Sequence, residues 1–319
     1  MGVNTTSPDV VVGVDGSALS TAAVTWAARE ARMHGLPLML VYVAPTLPID
    51  SEAALTAAEL ADFTDTEHAR AREVLEQACE TATQAITTDG APPRPAVEVI
   101  DGPVLSTLVE LSRRAALMVV GSRGLGAVSR ALLGSVSTGL VHHAQCPVAI
   151  VHSNDAGGPA PSDGPVVVGV DGSPTSDSAT ALAFEEAHLR GVDLVAVHAW
   201  TDMGPIGFPP SNWSPIEWRN IKEREEKVLT ERLRSWRGRF PTVAVIPRVV
   251  CDQPASRLLE AARGAQLLVV GSRGRGGFAG LLLGSVSATV AGAATVPVIV
   301  VPAGIPVGTQ PLRRPRASE

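Results

Sequence analysis

The octapeptide VVVGVDGS occurs twice, at Val10–Ser17 and at Val166–Ser173, and opens a duplication that runs through the chain. The stretch GSRGLGAVSRALLGSVS, Gly121–Ser137, returns as GSRGRGGFAGLLLGSVS, Gly271–Ser287, with its Gly and Ser spacing kept and no gap. Behind it, CPVAIV at Cys146–Val151 is matched by VPVIVV at Val296–Val301. A period of about 150 residues is far too long for a solenoid and long enough for a core, so each copy is expected to be a globular domain. The expected boundaries are 1–152 for the first domain, 153–165 for a Gly/Pro/Ser/Asp-rich linker, 166–302 for the second domain and 303–319 for a flexible tail.

Within each copy, short apolar runs rich in Val alternate with longer amphipathic segments. The strand candidates are VVVGV, PLMLVYV, AVEVI, ALMVV and PVAIVH in the first half, and VVVGV, DLVAVHAW, AVIPRVV, QLLVV and PVIVV in the second. Continuous rather than alternating hydrophobicity predicts strands covered on both faces, hence a parallel sheet between layers of helices. The first helix is bracketed by Ser17 and Gly35, and by Ser173-Pro174 and Gly191. A long second helix is expected from about Thr64 to Thr87 and from about Glu217 to Arg237, a third at 103–114 and 253–263, and a fourth from Gly134 and Gly284. The fold class is α/β: two tandem Rossmann-like, doubly wound domains, each a five-stranded parallel sheet with about four helices. Trp213, Trp218 and Phe208, after strand two of the second half, are expected to pack on an apolar surface or to cover a ligand.

With 45% hydrophobic residues and 3% aromatics, each core must be filled by Val, Leu and Ala. A net charge of −6, with no Lys/Arg block outside the closing LRRPR, gives no face for nucleic-acid phosphates. Cys79, Cys146 and Cys251 are far apart and suggest neither a disulfide framework nor a zinc site. No apolar run reaches the roughly 18 residues of a membrane span and no secretory signal opens the chain, so a cytoplasmic location is expected, with no membrane partner.

The glycine stretch has the form G-x-x-G, nine residues, then G-[ST]: Gly121, Gly124, Gly134 and Ser135, and again Gly271, Gly274, Gly284 and Ser285. It leaves strand four beside strand one, where an open α/β sheet forms its ligand crevice. Glycines let backbone N–H groups converge on an anion, and the helix opened by Gly-Ser adds its dipole, with Ser135, Ser137, Ser285 and Ser287 as hydroxyl donors. Asp15 and Asp171 end strand one facing the same crevice, and suit a ribose hydroxyl or a Mg²⁺ ion bridging phosphates; the alternative is that DGS is only a strand-to-helix turn. A Walker A lysine is missing, and the Rossmann G-x-G-x-x-G does not follow strand one. In sequence, no Lys, His or second carboxylate accompanies the loop.

These residues, GVDGS with the G-x-x-G-x(9)-G-[ST] loop and LLGSVS behind it, in tandem, closely resemble the universal stress protein family, tandem-domain type, particularly its actinobacterial members. The resemblance implies ATP or another adenine nucleotide in each domain and assembly through the last strand, as a homodimer or by pairing of the two domains. Carried over by position, Asp15 and Asp171, with Gly16 and Gly172 beside them, lie by the ribose and phosphates. Val43 and Ala199 offer strand-two backbone to adenine, and the two glycine loops hold the triphosphate. The leading expectation is an ATP-binding regulator of growth and stress survival that engages a protein partner. The runner-up is a slow Mg-dependent ATPase or phosphotransferase.

Overall fold

The computed structural model of the chain describes residues 9–46, 56–86, 94–125, 133–152, 163–200, 215–251, 253–275 and 283–304. It divides into two compact units between Ser153 and Asn154. Most of the expected linker, nearly all of the expected tail, Phe208, Trp213 and the Trp218 side chain lie outside the described residues.

The first unit runs β1 (Val10–Gly13), α1 (Ala18–His34), β2 (Leu38–Ala44), α2 (Ala57–Ala85), β3 (Ala96–Asp101), α3 (Val104–Ser112), β4 (Leu117–Gly121), α4 (Ser135–His143) and β5 (Val148–Val151). Its sheet has the order β3-β2-β1-β4-β5, with parallel neighbours throughout. The second unit repeats it with β6 (Val166–Gly169), α5 (Pro174–Arg190), β7 (Leu194–Trp200), α6 (Pro215–Arg239), β8 (Val245–Cys251), α7 (Pro254–Ala261), β9 (Leu267–Gly271), α8 (Ser285–Ala293) and β10 (Val298–Val301). Its order is β8-β7-β6-β9-β10, again parallel. In both, the chain reverses direction across the sheet between strand one and strand four, and the crevice opens there.

The central strands are buried on both faces, as their unbroken apolar runs require: β1, β4, β6 and β9 present almost no surface. β3 and β8 are edges, so Val97, Val99 and Ile246 are exposed there. Pro247, which cannot donate to a ladder, is tolerated in β8 because that strand has a neighbour on one side only within its unit. Among the described residues no helix is long and apolar enough to cross a membrane.

The helix ends follow the expected signals. Ser17 caps α1 by accepting from the Ser20 N–H at 3.1 Å, and Gly35 closes it in the left-handed region. Ser173, Pro174 and Gly191 do the same for α5. α2 differs from expectation: it begins at Ala57 rather than near Thr64, because Thr56 and Glu59 form a reciprocal capping box. The Thr56 N–H donates to Glu59 Oε2 at 2.8 Å and the Glu59 N–H donates to Thr56 Oγ1 at 3.3 Å. Thr56→Ala is expected to cost about 1 kcal/mol locally. Amide exchange over the first turn of α2 then rises about five-fold, while the global unfolding midpoint stays in place. The Thr56 backbone and hydroxyl hydrogen bonds hold the Glu59 carboxyl below its ordinary pKa, so the box is complete at neutral pH and is lost on acidification through the folded-state value.

The layer beneath the long helix is built differently in the two units. In the first, Ala23, Ala27, Ala28 and Ala31 of α1 and Ala71, Ala78 and Ala82 of α2 are all buried, and the two helices pack closely. In the second, the fully buried Phe184 of α5 stacks with Trp236 of α6 and with Phe240 just beyond it.

Candidate functional site

Strand one of each unit ends in a turn that fixes an aspartate. Asp15 Oδ1 accepts from the Ser17 N–H at 2.9 Å, and the Asp15 N–H donates to Ser20 Oγ at 3.2 Å. In the second unit Asp171 Oδ1 accepts from the Ser173 N–H at 2.9 Å, and the Asp171 N–H donates to Ser176 Oγ at 3.0 Å. Gly16 and Gly172 make the turn possible, with φ of 82° and 78°. The other carboxylate oxygen reaches across the crevice: Oδ2 of Asp15 accepts from the Leu125 N–H at 3.2 Å, and Oδ2 of Asp171 from the Arg275 N–H at 3.0 Å. The DGS turn therefore does more than reverse the chain, because its carboxylate binds the opposite loop.

The glycine loop is shaped to receive it. At Gly124 and Gly274 any side chain would run into the Asp15 or Asp171 carboxylate. At Gly121 a Cβ would come within 2.9 Å of the Leu19 backbone, so β4 can lie against α1 only without one. The far end of the loop is drawn back to the near end, since the Gly134 N–H donates to the Ser122 carbonyl and the Gly284 N–H to the Ser272 carbonyl, both at 2.8 Å. Ser137 and Ser287 are buried and donate their hydroxyls to the Gly121 and Gly271 carbonyls at 2.7 and 2.6 Å. Their protons brace the loop. Ser135 and Ser285 stay exposed, and α4 and α8 begin on glycine N-caps with no side-chain cap. The first-turn N–H groups thus have no side-chain acceptor and carry the positive end of the helix dipole.

Strand two and the long helix bring a second carboxylate, which neither motif spacing nor composition revealed. Val43 is buried and Ala199 half-buried at the ends of β2 and β7. Beside them, Tyr42 donates its hydroxyl to Glu67 Oε2 of α2 at 3.3 Å. Burial, and then the Glu67 charge, push the Tyr42 pKa up, which keeps the phenol protonated as donor. In the second unit the partners are His198 and Glu225. His198 Nδ1 lies 2.6 Å from the Val170 carbonyl, which can only accept, so Nδ1 carries a proton; Nε2 meets Glu225 Oε2 at 3.2 Å. The duplication carries a signal for this pair: Glu67 and the buried Leu75 of α2 are spaced as Glu225 and the buried Leu233 of α6 are.

In the second unit these parts enclose a cavity of about 860 Å³, within the usual size range of small-molecule sites. Of the positions singled out there from sequence, Asp171, Ala199, Gly271, Gly274, Gly284, Ser285 and Ser287 line it. Gly172 does not, being covered by the Arg232 side chain. His198, Arg224 and Glu225 line it as well. In the first unit Asp15 meets the loop at Gly124 and Leu125 in the same way, and loop residues 126–132 and 276–282 lie outside the described residues.

The likeness to known proteins runs the length of the chain. One universal stress protein of Mycobacterium tuberculosis is 49% identical over 311 residues, covering 94% of this chain and 96% of its own. A second from the same organism is 45% identical over 301 residues, covering 94% and 98%. Among solved structures, a universal stress protein from Archaeoglobus fulgidus superimposes with a TM-score of 0.64 at 21% identity, covering 92% of this chain and 98% of its own, a likeness of fold. The universal stress protein family matches twice, at residues 8–152 and 164–302, once for each unit. Duplicated in sequence, in fold and in family match, the chain belongs to the universal stress protein family.

Proposed function

We propose that each unit holds an adenine nucleotide, ATP foremost, and that the chain works in the cytoplasm as a regulator of growth and stress survival. One observation carries the reading: an aspartate, a glycine loop with no room for a side chain and an uncapped helix N-terminus converge on one crevice in a duplicated design. The donor set suits phosphate, since backbone N–H groups and a helix dipole bind anions without a lysine. On this reading the strand-two backbone at Val43 and Ala199 meets the base and the two aspartates meet the ribose and phosphate side, with Gly16 and Gly172 serving the turns that present them.

Asp171 Oδ1 accepts from both the Ser173 N–H and the Ser173 hydroxyl, but Oδ2 of each aspartate accepts one backbone bond and retains a lone pair, enough to accept a ribose hydroxyl or to ligate Mg²⁺, which would offset phosphate charge beside the carboxylate. Hydrolysis is slow on this reading, because both nitrogens of His198 are already engaged. The ordered loop then serves as the surface that a regulatory protein reads. Pairing through β5 and β10, in a homodimer or within one chain, belongs to the same proposal, each strand being hydrogen-bonded on one side only within its own unit.

Heat-denaturing the purified protein and identifying the released small molecules by mass spectrometry tests the reading. Adenine nucleotide approaching two equivalents per chain supports it; no nucleotide released, and none bound on titration with ATP, ADP or AMP, overturns it. A slow Mg-dependent ATPase is the second reading, favoured by Glu225 lying in the same cavity as Asp171. Single-turnover release of phosphate at ordinary enzymatic rates, lost on Asp15→Ala and Asp171→Ala, would decide for the enzyme.

A further inference from the structure

In the second unit a side-chain hydroxyl holds the glycine loop by its backbone. Thr175, in the first turn of α5, is buried, and its Oγ1 donates to the Arg273 carbonyl at 2.5 Å. Ser173 Oγ lies 3.3 Å from the same carbonyl but 2.7 Å from Asp171 Oδ1, and having one proton to give it gives it to the carboxylate. Thr175 Oγ1 is 3.1 Å from that Ser173 oxygen. With the Ser173 proton committed to Asp171, the bond that fixes the Arg273 carbonyl is the one from Thr175. The repeated Asp-Gly-Ser turn sets Leu19 of α1 in the place of Thr175, and each lies against the first glycine of its loop. A leucine side chain has no proton to donate.

The Arg273 carbonyl and the Gly274 N–H belong to one trans peptide unit, in which the two point in opposite directions. A carbonyl pinned toward α5 therefore turns the N–H away from α5. The start of α8 stands close by: a Cβ at its N-cap, Gly284, would be 3.8 Å from the Gly274 nitrogen. Gly274 lines the cavity, and among the described residues its N–H has no hydrogen-bond partner. The next peptide is fixed as well, by the Arg275 N–H on Asp171 Oδ2. An unspent backbone donor, clamped on either side and beside the uncapped N-terminus of α8, is suited to an anion.

We propose that Thr175 is a positioning residue that sets the Gly274 N–H for a phosphate oxygen in the second unit, a device that the first unit, with Leu19, does not carry. This rests on the nucleotide reading of the second crevice. The hydroxyl touches no ligand and acts through the peptide that it orients. Without it the peptide is free to rotate, and binding must meet the cost of ordering it. That cost falls on the phosphates and not on the base, so Thr175 governs how much the phosphates add to the affinity for the nucleoside.

The test compares ATP with adenosine at the second crevice alone, the first being closed by Gly124→Glu. Thr175→Val keeps the shape of the side chain and removes its hydroxyl, and Thr175→Leu installs the residue that the first unit carries. Both are expected to weaken ATP about ten-fold and to change adenosine by less than about two-fold. Thr175→Ser restores the donor and is expected to hold ATP within about two-fold of the parent protein. ATP affinity unmoved in the Val and Leu variants overturns the inference. So does an equal loss for ATP and adenosine, which would mark a general disturbance of α5, and so does a Ser variant as weak as the Val variant. Each of these results leaves the nucleotide sites standing. Failure of the unaltered protein to bind any adenine nucleotide overturns the nucleotide reading itself, and this inference with it.

Discussion

In the Gly124→Glu, Gly274→Glu double variant, no adenine nucleotide co-purifies and ATP titration gives no measurable heat. Neither glycine has a left-handed φ, so glutamate enters without backbone strain and the fold persists. What it meets is the partner aspartate: already a Cβ at either position presses on the Oδ2 atom that accepts the loop N–H. The longer side chain must swing into the crevice, where it adds a negative charge beside Asp15 or Asp171 and occupies the space offered to phosphate. Volume exclusion and like-charge repulsion act in the same direction, and together a loss of at least about 100-fold is expected. Each single variant keeps one site, so the stoichiometry halves rather than falling to zero. Full occupancy in the double variant would remove the glycine loops from the binding surface. Gly124→Ala and Gly274→Ala give the graded case, with a smaller loss from steric pressure alone.

The parts of this site that were legible in the sequence are those whose signal is local. Strand one with its DGS turn, the glycine loop and the Gly-Ser helix start each occupy a few consecutive residues, and the duplication shows them twice. The strands were legible because burial on both faces leaves no polar position in Val10–Val12 or Leu117–Val120. The start of α2 was not, since Thr56 and Glu59 stand in an alanine-rich stretch whose periodicity is weak, and only the reciprocal hydrogen bonds identify the box. Ser137 and Ser287 looked like phosphate donors from spacing alone. As third residues of their helices they tilt back toward the N-terminus, over the loop's own carbonyl, and the hydroxyl is spent there. The Tyr42–Glu67 and His198–Glu225 contacts join residues 25 and 27 apart on different elements, so no local pattern announces them. The same holds for Arg232 over Gly172, which depends on how the long helix lies across the sheet.

Phe184→Ala is expected to destabilise the second unit by about 3–5 kcal/mol and to leave the first unit's stability unchanged. Phe184 is fully buried, with ring centroids 6.3 Å from Trp236 and 5.8 Å from Phe240, and the Arg239 guanidinium lies 5.6 and 5.4 Å from those two rings. In the first unit the matching α1 position is Ala28, which is buried, and the two helices pack closely. The aromatic set in the second unit fills a wider gap between α5 and α6, so truncation leaves a cavity that rigid helices cannot collapse. Aromatic stacking adds about 0.5–1.5 kcal/mol to the loss beyond area burial. Calorimetry of the intact chain reads the effect as a lowered transition for the second unit, with the transition of the first unit staying in place. The functional consequence runs along α6: the helix that loses its anchor carries Arg224 and Glu225, which line the second cavity, so ATP affinity there is expected to fall while the first crevice keeps its nucleotide. A second-unit transition that moves by less than the equivalent of about 1 kcal/mol would show that the helix is held chiefly by Leu229 and Leu233, the two fully buried leucines on its sheet side.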